Sequence, residues 1–218
     1  MSPIHSTLII LHVIAGTLSL GIGIIAIVNY KKALTHKRYG RYFLWLLSIV
    51  VGSAIVGLFF FRINAFLVML TLLSGYVGYA GYRTVHLRQQ RSTLSDVMIA
   101  LIVLLVGIGY VIWLKQFETK WPSSIIYSTL AAIVIVTVYD LIKYFWLYNQ
   151  LKNWWIYEHI YKMFSAFSAL LSAFMGTILP DWHPYSQLGP SVISLWLMGY
   201  FIWTQINTPR QKTTKQIL

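Results

Sequence analysis

The chain has 218 residues, 58% hydrophobic and 10% charged, with 17 Lys and Arg against 5 Asp and Glu and a net charge of +12. A soluble domain carries about 25% charged residues, so a water-facing globule is excluded, and the apolar content excludes disorder. With no cysteine, disulfides, thiolate metal ligands and a cysteine nucleophile are excluded as well.

A helix needs about 20 mostly apolar residues to cross about 30 Å of hydrocarbon. Leu8–Val28 is the first such run, followed by Phe43–Phe61, Ala65–Tyr82, Val97–Leu114 and Ile125–Ile142. The fifth opens after Pro122-Ser123-Ser124, which suits a helix start. Tyr161–Leu179 and Ser191–Ile206 complete the set, parted by Pro180-Asp181-Trp182-His183-Pro184, which no helix crosses unbroken. The expectation is an all-α integral membrane protein, a seven-transmembrane-helix bundle filling one domain over residues 1–218. The opening Met1-Ser2-Pro3-Ile4-His5-Ser6 lacks a positive n-region, so the first run reads as an uncleaved anchor.

Short connections make neighbouring runs antiparallel, and lysine and arginine then set the orientation. With the N-terminus outside, the cytoplasmic side holds Lys31, Lys32, Lys37, Arg38 and Arg41, then Arg83, Arg88 and Arg91. Lys143, Lys152 and Lys162 follow, and Arg210, Lys212 and Lys215 end the series. Only Arg62, Lys115 and Lys120 remain external. The bias predicts an N-out, C-in membrane protein. Spread over loops, these cations serve anionic lipid, and no nucleic-acid reader is expected. The lipid bilayer is the expected partner, with a homo-oligomer or a larger membrane complex left open.

Close helix contact in lipid relies on small residues. The sixth run carries Ser165, Ser168, Ala169, Ser172, Ala173 and Gly176, and the third carries Ser74, Gly75, Gly78 and Gly81 among Tyr76, Tyr79 and Tyr82. Packing within one chain is the expected use. The aromatics from Tyr144 to Tyr148 and from Trp154 to Tyr157 suit headgroup depth.

Ionisable residues near hydrocarbon are costly and point to function. Asp140 lies one turn from the end of the fifth run, with Lys143 three residues on as a local ion-pair partner. Asp96 fits a helix N-cap. His36, His86, His159 and Lys162 share the cytoplasmic side, whereas His5, His12, Glu118, Asp181 and His183 fall outside. From His12 to Val28 a helix spans about 24 Å, so one site cannot use His12 together with His36 and His159. His36, His159, Asp96 and Asp140 are the candidate metal or proton-transfer set, with Arg83, Lys143 and Lys162 as charge partners. His36, His159 and His12 are the candidate cofactor ligands. The spacing lacks HExxH or HxxxH. No span holds two histidines, which disfavours a two-haem cytochrome, while His36 with His159 suits one b-type haem. The seventh run has no lysine for a retinal Schiff base.

His12-Val13-Ile14-Ala15-Gly16 and His36-Lys37-Arg38-Tyr39-Gly40-Arg41 resemble the opening of a bacterial family of predicted multi-spanning membrane proteins of unknown function. Its members carry H-x-x-x-G in span one and H-[RK]-x-x-G-[RK] before span two. Ala33-Leu34 replaces the Lys-Gly pair of its relatives. Phe66-Leu67 to Ser74-Gly75-Tyr76, Gly81-Tyr82-Arg83 and Ser95-Asp96 resemble its middle section. His159-Ile160-Tyr161-Lys162-Met163 resembles its H-x-x-[RK]-M signature, with Lys162 where Arg is usual. The resemblance implies an all-helical protein of the bacterial inner membrane with His12, His36 and His159 at the family's histidine positions, and it implies no activity.

The leading expectation is small-ligand or cofactor binding at a cytoplasmic His/Asp pocket. A metal-dependent hydrolase using zinc, a one-haem redox protein, a transporter and a structural subunit of a membrane complex are the alternatives.

Overall fold

A computed structural model describes residues 3–60, 65–116 and 123–207. Among these residues every regular element is helical. The long helices are α1 (Pro3–Val28), α2 (Ala33–Phe60), α3 (Ala65–Leu87), α4 (Leu94–Leu114) and α5 (Ser123–Ile142). A π-turn over Lys143–Leu147, the short α6 (Tyr148–Leu151) and a 3-10 turn over Lys152–Trp154 lead into α7 (Trp155–Ile178). A second 3-10 turn, Pro180–Trp182, precedes α8 (Tyr185–Asn207).

Each apolar run falls on a long helix, but several helices outrun theirs. α2 starts ten residues before Phe43, and α8 begins at Tyr185 and carries Pro190 within it. Apolar length measures hydrocarbon, whereas backbone hydrogen bonding continues into the polar zone. Phe61 lies outside the described residues, and Leu179 caps α7 rather than extending it.

Four stretches are long and apolar enough to cross a membrane: Ser6–Val28, Ala33–Leu58, Leu94–Leu114 and Ser124–Ile178. The last has 55 residues and would reach about 80 Å if straight. Instead it doubles back, because Lys162 meets Asp140 and Glu158 meets Lys143 across its two arms.

α3 is the hub, packed against α2, α4, α5 and α7. Phe66, Met69, Leu70, Leu73, Tyr76, Val77 and Ala80 are all buried along it. Surrounded by protein, it needs no lipid-compatible surface and tolerates Ser, Thr, Tyr and Gly, which lower its hydropathy. α4 shows the opposite case, exposing Met98, Ile102, Leu105, Val106 and Ile112 as a lipid-facing helix would.

Glycines set the closest approaches. A Cβ on Gly78 would lie 2.7 Å from Leu47 Cδ2, and one on Gly23 would lie 2.8 Å from Phe167 Cδ2 and 3.1 Å from Phe43 Cδ2. Gly78 therefore joins α3 to α2, and Gly23 joins α1 to α2 and α7. The small-residue stripe of α7 receives α8: Ser172 Oγ donates to the Gln187 carbonyl at 2.8 Å, and Gln187 is buried over Gly176.

Contacts along the bundle keep consecutive long helices antiparallel. Arg83 with Asp96 and Leu72 with Gly107 align α3 and α4, and Phe164 with Phe201 and Ser172 with Ser191 align α7 and α8. The ends of α3 and α5 and the starts of α2, α4 and α7 consequently meet at one end of the bundle.

Candidate functional site

That shared end holds a cleft of about 40 Å³, open on one side and lined by residues of α3, α4, α5, the π-turn and α7. On α3, Tyr76, Tyr79 and Arg83 follow helical spacing and share one face. Asp96 lies in the first turn of α4, after Thr93. Tyr139 and Asp140 close α5, Lys143 opens the π-turn, and Glu158 and Lys162 lie one turn apart on α7.

Three units of one design, a carboxylate, a cation and a phenol, border the cleft, the third phenol standing behind its wall. Asp96 takes Arg83 Nε on Oδ1 at 2.7 Å and Nη2 on Oδ2 at 2.9 Å, a two-pronged geometry only a guanidinium supplies. Tyr79 donates to the same carboxylate at 2.6 Å. Asp140 accepts from Lys162 Nζ at 2.6 Å and from the Tyr76 hydroxyl at 2.7 Å. Glu158 accepts from Lys143 Nζ at 2.6 and 2.7 Å and from the Tyr139 hydroxyl at 3.0 Å. Lys162 also donates to Thr84 Oγ1 at 3.3 Å.

These pairings correct the expected local contact between Asp140 and Lys143. An exposed pair within one helix contributes about 0.2–0.5 kcal/mol, and the π-turn starting at Lys143 breaks the α register such a pair needs. Asp140 and Lys143 instead bond across the hairpin, to Lys162 and Glu158, and each pair staples its two arms. Asp96 is not the N-cap of α4, which is Thr93: from the N3 position its Oδ2 accepts the Thr93 N–H and hydroxyl at 2.7 Å each, while Arg83 and Tyr79 reach it from α3.

The connections seal one wall. Arg91 donates to the Tyr144 carbonyl at 2.6 and 3.2 Å, with its guanidinium 4.6 Å from the Tyr144 ring centre. Tyr148 donates to the Gln89 carbonyl at 2.8 Å, and Gln89 to Asn153 at 3.0 Å. The α3–α4 connection is thereby tied to the segment between α5 and α7.

The predicted His/Asp set divides in two. Glu158 and Lys162 face the cleft, and His159 lies about 100° around the helix toward α2. There its ring centre is 6.1 Å from that of His36, with perpendicular planes. His36 Nδ1 lies 2.9 Å from the Ala26 carbonyl. Among the described residues no three His, Asp or Glu converge to hold a metal ion, so Asp96, Asp140, His36 and His159 do not form one centre.

His12 is at the opposite end of α1, its Nδ1 2.8 Å from Ser53 Oγ, apart from the other candidates as its position predicts. His86 stacks on Tyr82. His183 hydrogen-bonds Gln187, and Asp181 is exposed in the 3-10 turn. Glu118 and the His5 side chain lie outside the described residues.

Glu158 and the phenols of Tyr76, Tyr79 and Tyr139 did not emerge as site residues from the sequence. Glu158 carried a signal: it is one of only five acids and immediately precedes His159. The tyrosines carried none, since the sequence holds 15 of them and membrane interfaces use that residue freely.

Compared with protein-family models, curated proteins and solved structures, the chain shows no match.

Proposed function

We propose that the chain is a bacterial inner-membrane protein with seven crossings and an external N-terminus, binding a small anion in the cleft at its cytoplasmic end. Seven antiparallel long helices support the crossing number, and the loop cations support the orientation. The motif resemblance to a bacterial multi-spanning family accompanies this reading.

The observation that carries the binding role is the meeting of three acid–cation–phenol units in one solvent-open cleft. Ionisable groups next to hydrocarbon are expensive, and they mark ligand or proton paths when they face an interior cavity. Arg83, Arg88, Lys143 and Lys162 line the cleft against Asp96, Asp140 and Glu158, which leaves one cation in excess. Arg88 has no carboxylate partner among the described residues, and its guanidinium rests 5.9 Å from the Trp155 ring centre. It is also the one non-glycine residue described with positive φ, at 51°, held at the cleft mouth in a conformation an L residue rarely adopts. Drug-sized pockets run to about 300–1,000 Å³. A cleft of about 40 Å³ takes a few heavy atoms, such as a carboxylate or bicarbonate.

Completeness of the pairing favours a second reading, a structural clasp with no ligand. Arg88→Gln separates the two because it breaks no ion pair. With acetate or bicarbonate titrated into detergent-solubilised protein, the binding reading expects thermal stabilisation of the wild type and about tenfold weaker affinity for Arg88→Gln, a difference of about 1.4 kcal/mol. No stabilisation by either anion, or equal stabilisation of both proteins, supports the clasp.

A further inference from the structure

The charges at the start of α2 are unmatched by any acid nearby. No Asp or Glu occurs before Asp96, and Asp96, Asp140 and Glu158 are taken by Arg83, Lys162 and Lys143. The two acids left are Glu118, in the connection from α4 to α5, and Asp181, beyond the far end of α7. Lys37, Arg38 and Arg41 are exposed and join no ion pair among the described residues. Arg38 Nε donates to the Tyr42 hydroxyl at 3.3 Å, which steadies the side chain and leaves its two Nη atoms to other acceptors. Their counter-charge therefore comes from outside the chain.

Past these cations the same face of α2 changes character in order. Arg38, Arg41, Trp45, Ile49, Gly52 and Val56 follow one another at steps of three or four residues, within about 80° of the helix circumference. All six are exposed. Trp45 is 72% exposed, and Gly52 has nothing within 4 Å of where a Cβ would sit, so no neighbouring helix covers the stripe there. The stripe lies in Ala33–Leu58, a stretch long and apolar enough to cross a membrane, and its tiers match the depth of one lipid leaflet. Arg41 to Trp45 is about 6 Å along the axis and Trp45 to Val56 about 16 Å. A headgroup layer is about 5–7 Å deep and the hydrocarbon of one leaflet about 15 Å. Tryptophan favours the boundary between the two.

We propose that this face of α2 binds one anionic phospholipid. Its phosphate lies between Arg38 and Arg41, its glycerol backbone at Tyr42 and Trp45, and an acyl chain along Ile49, Gly52 and Val56. General attraction of basic loops to anionic lipid has no fixed place, whereas here the headgroup and chain contacts share one helix face. A guanidinium takes a phosphate by two parallel hydrogen bonds. The headgroup that fits carries no cation of its own. The choline of phosphatidylcholine would meet Lys37, Arg38 and Arg41, whereas phosphatidylglycerol brings only negative charge. The site is separate from the cleft and holds whether or not an anion binds there.

The test reconstitutes the full chain into nanodiscs of phosphatidylcholine and phosphatidylglycerol, with brominated acyl chains on one lipid at a time. Bromine quenches a nearby indole, and the difference between wild type and Trp45→Phe isolates Trp45. Trp196, 80% exposed on a helix without Lys or Arg, is the reference, isolated in the same way through Trp196→Phe. Phosphatidylglycerol should be preferred at Trp45 by at least about fivefold, the effect of one surface cation on anionic lipid, with no preference at Trp196. Arg38→Gln with Arg41→Gln should abolish the preference while phosphatidylcholine still quenches Trp45, which shows that α2 keeps its place in the bilayer. Inorganic phosphate should displace the lipid no more than potassium chloride at equal ionic strength, because free phosphate lacks the chain contact. Should the double variant fail to fold, the comparison of Trp45 with Trp196 in the wild type still decides the matter. Equal quenching of Trp45 by the two lipids overturns the proposal, as does a preference that survives the double change or recurs at Trp196. Displacement by inorganic phosphate beyond that of potassium chloride overturns it in favour of a free-anion site.

Discussion

Glu158 and His159 are consecutive residues of α7, yet they serve regions of opposite character. On the Glu158 side every carboxylate meets a cation and a phenol. On the His159 side two imidazoles lie with their centres 6.1 Å apart, His36 held by the Ala26 carbonyl and His159 by the Gly81 backbone. The difference separates two uses of polarity in an apolar bundle. Compensated charges hold helices together and resist replacement, because removing one member strands another. Each imidazole bonds to backbone and joins no ion pair among the described residues, so it holds the fold less tightly than the charged units do.

The largest expected effect tests the cleft side of that contrast. Glu158 and Lys143 are the more enclosed pair, with side chains 5% and 12% exposed. Glu158→Gln strands the lysine and should cost about 3–5 kcal/mol, measured as a fall in unfolding temperature in detergent. Removing both charges with Lys143→Met and Glu158→Leu should recover most of the loss, since well-packed apolar residues often replace a buried pair at no net cost. A single change as mild as the double one would show that the pairs do not clamp the hairpin.

Next in size is the packing that supports the histidine side. Gly23→Ala pushes a methyl between Phe43 and Phe167, two rings that cannot swing away as an alkyl chain can. A cost of about 1–3 kcal/mol is expected, with loosening of α1 against α2 and α7. An unchanged unfolding temperature would mean that the three helices do not meet at Gly23.

The smallest effect sharpens the role of Arg88. Glycine accepts the φ of 51° without a Cβ penalty, so Arg88→Gly should stabilise the protein by up to about 1 kcal/mol. It should weaken anion binding as Arg88→Gln does, so that stability and binding move in opposite directions. Parallel movement of the two would remove Arg88 from the ligand site.

Sequence made the long helices legible because a run such as Val97–Leu114 has no other use than hydrocarbon or a deep core. The hub was half legible: Gly75, Gly78 and Gly81 pointed to close packing, and they meet Val51, Leu47 and Met163. That α3 gathers four neighbours could not be read, because helix order within a bundle leaves no local trace. Asp140, Lys143 and Lys162 stood out as costly residues, but the way they pair did not. Spacing favours pairs within one helix, and the hairpin offers better ones from another. Glu158 escaped for the same reason, its value resting on a lysine 15 residues away across a turn that the aromatics around Trp146 and Trp154 marked only as interfacial.

The central claim is that the cleft opens toward the cytoplasm at one end of a bundle that crosses the membrane seven times. The native chain has no cysteine, so a single introduced one reports its own side. With Lys37→Cys and Asp181→Cys treated with a membrane-impermeant thiol reagent, the account predicts that position 181 labels in intact cells and position 37 only after permeabilisation. Labelling of position 37 in intact cells, or of both positions from the same side, would contradict it.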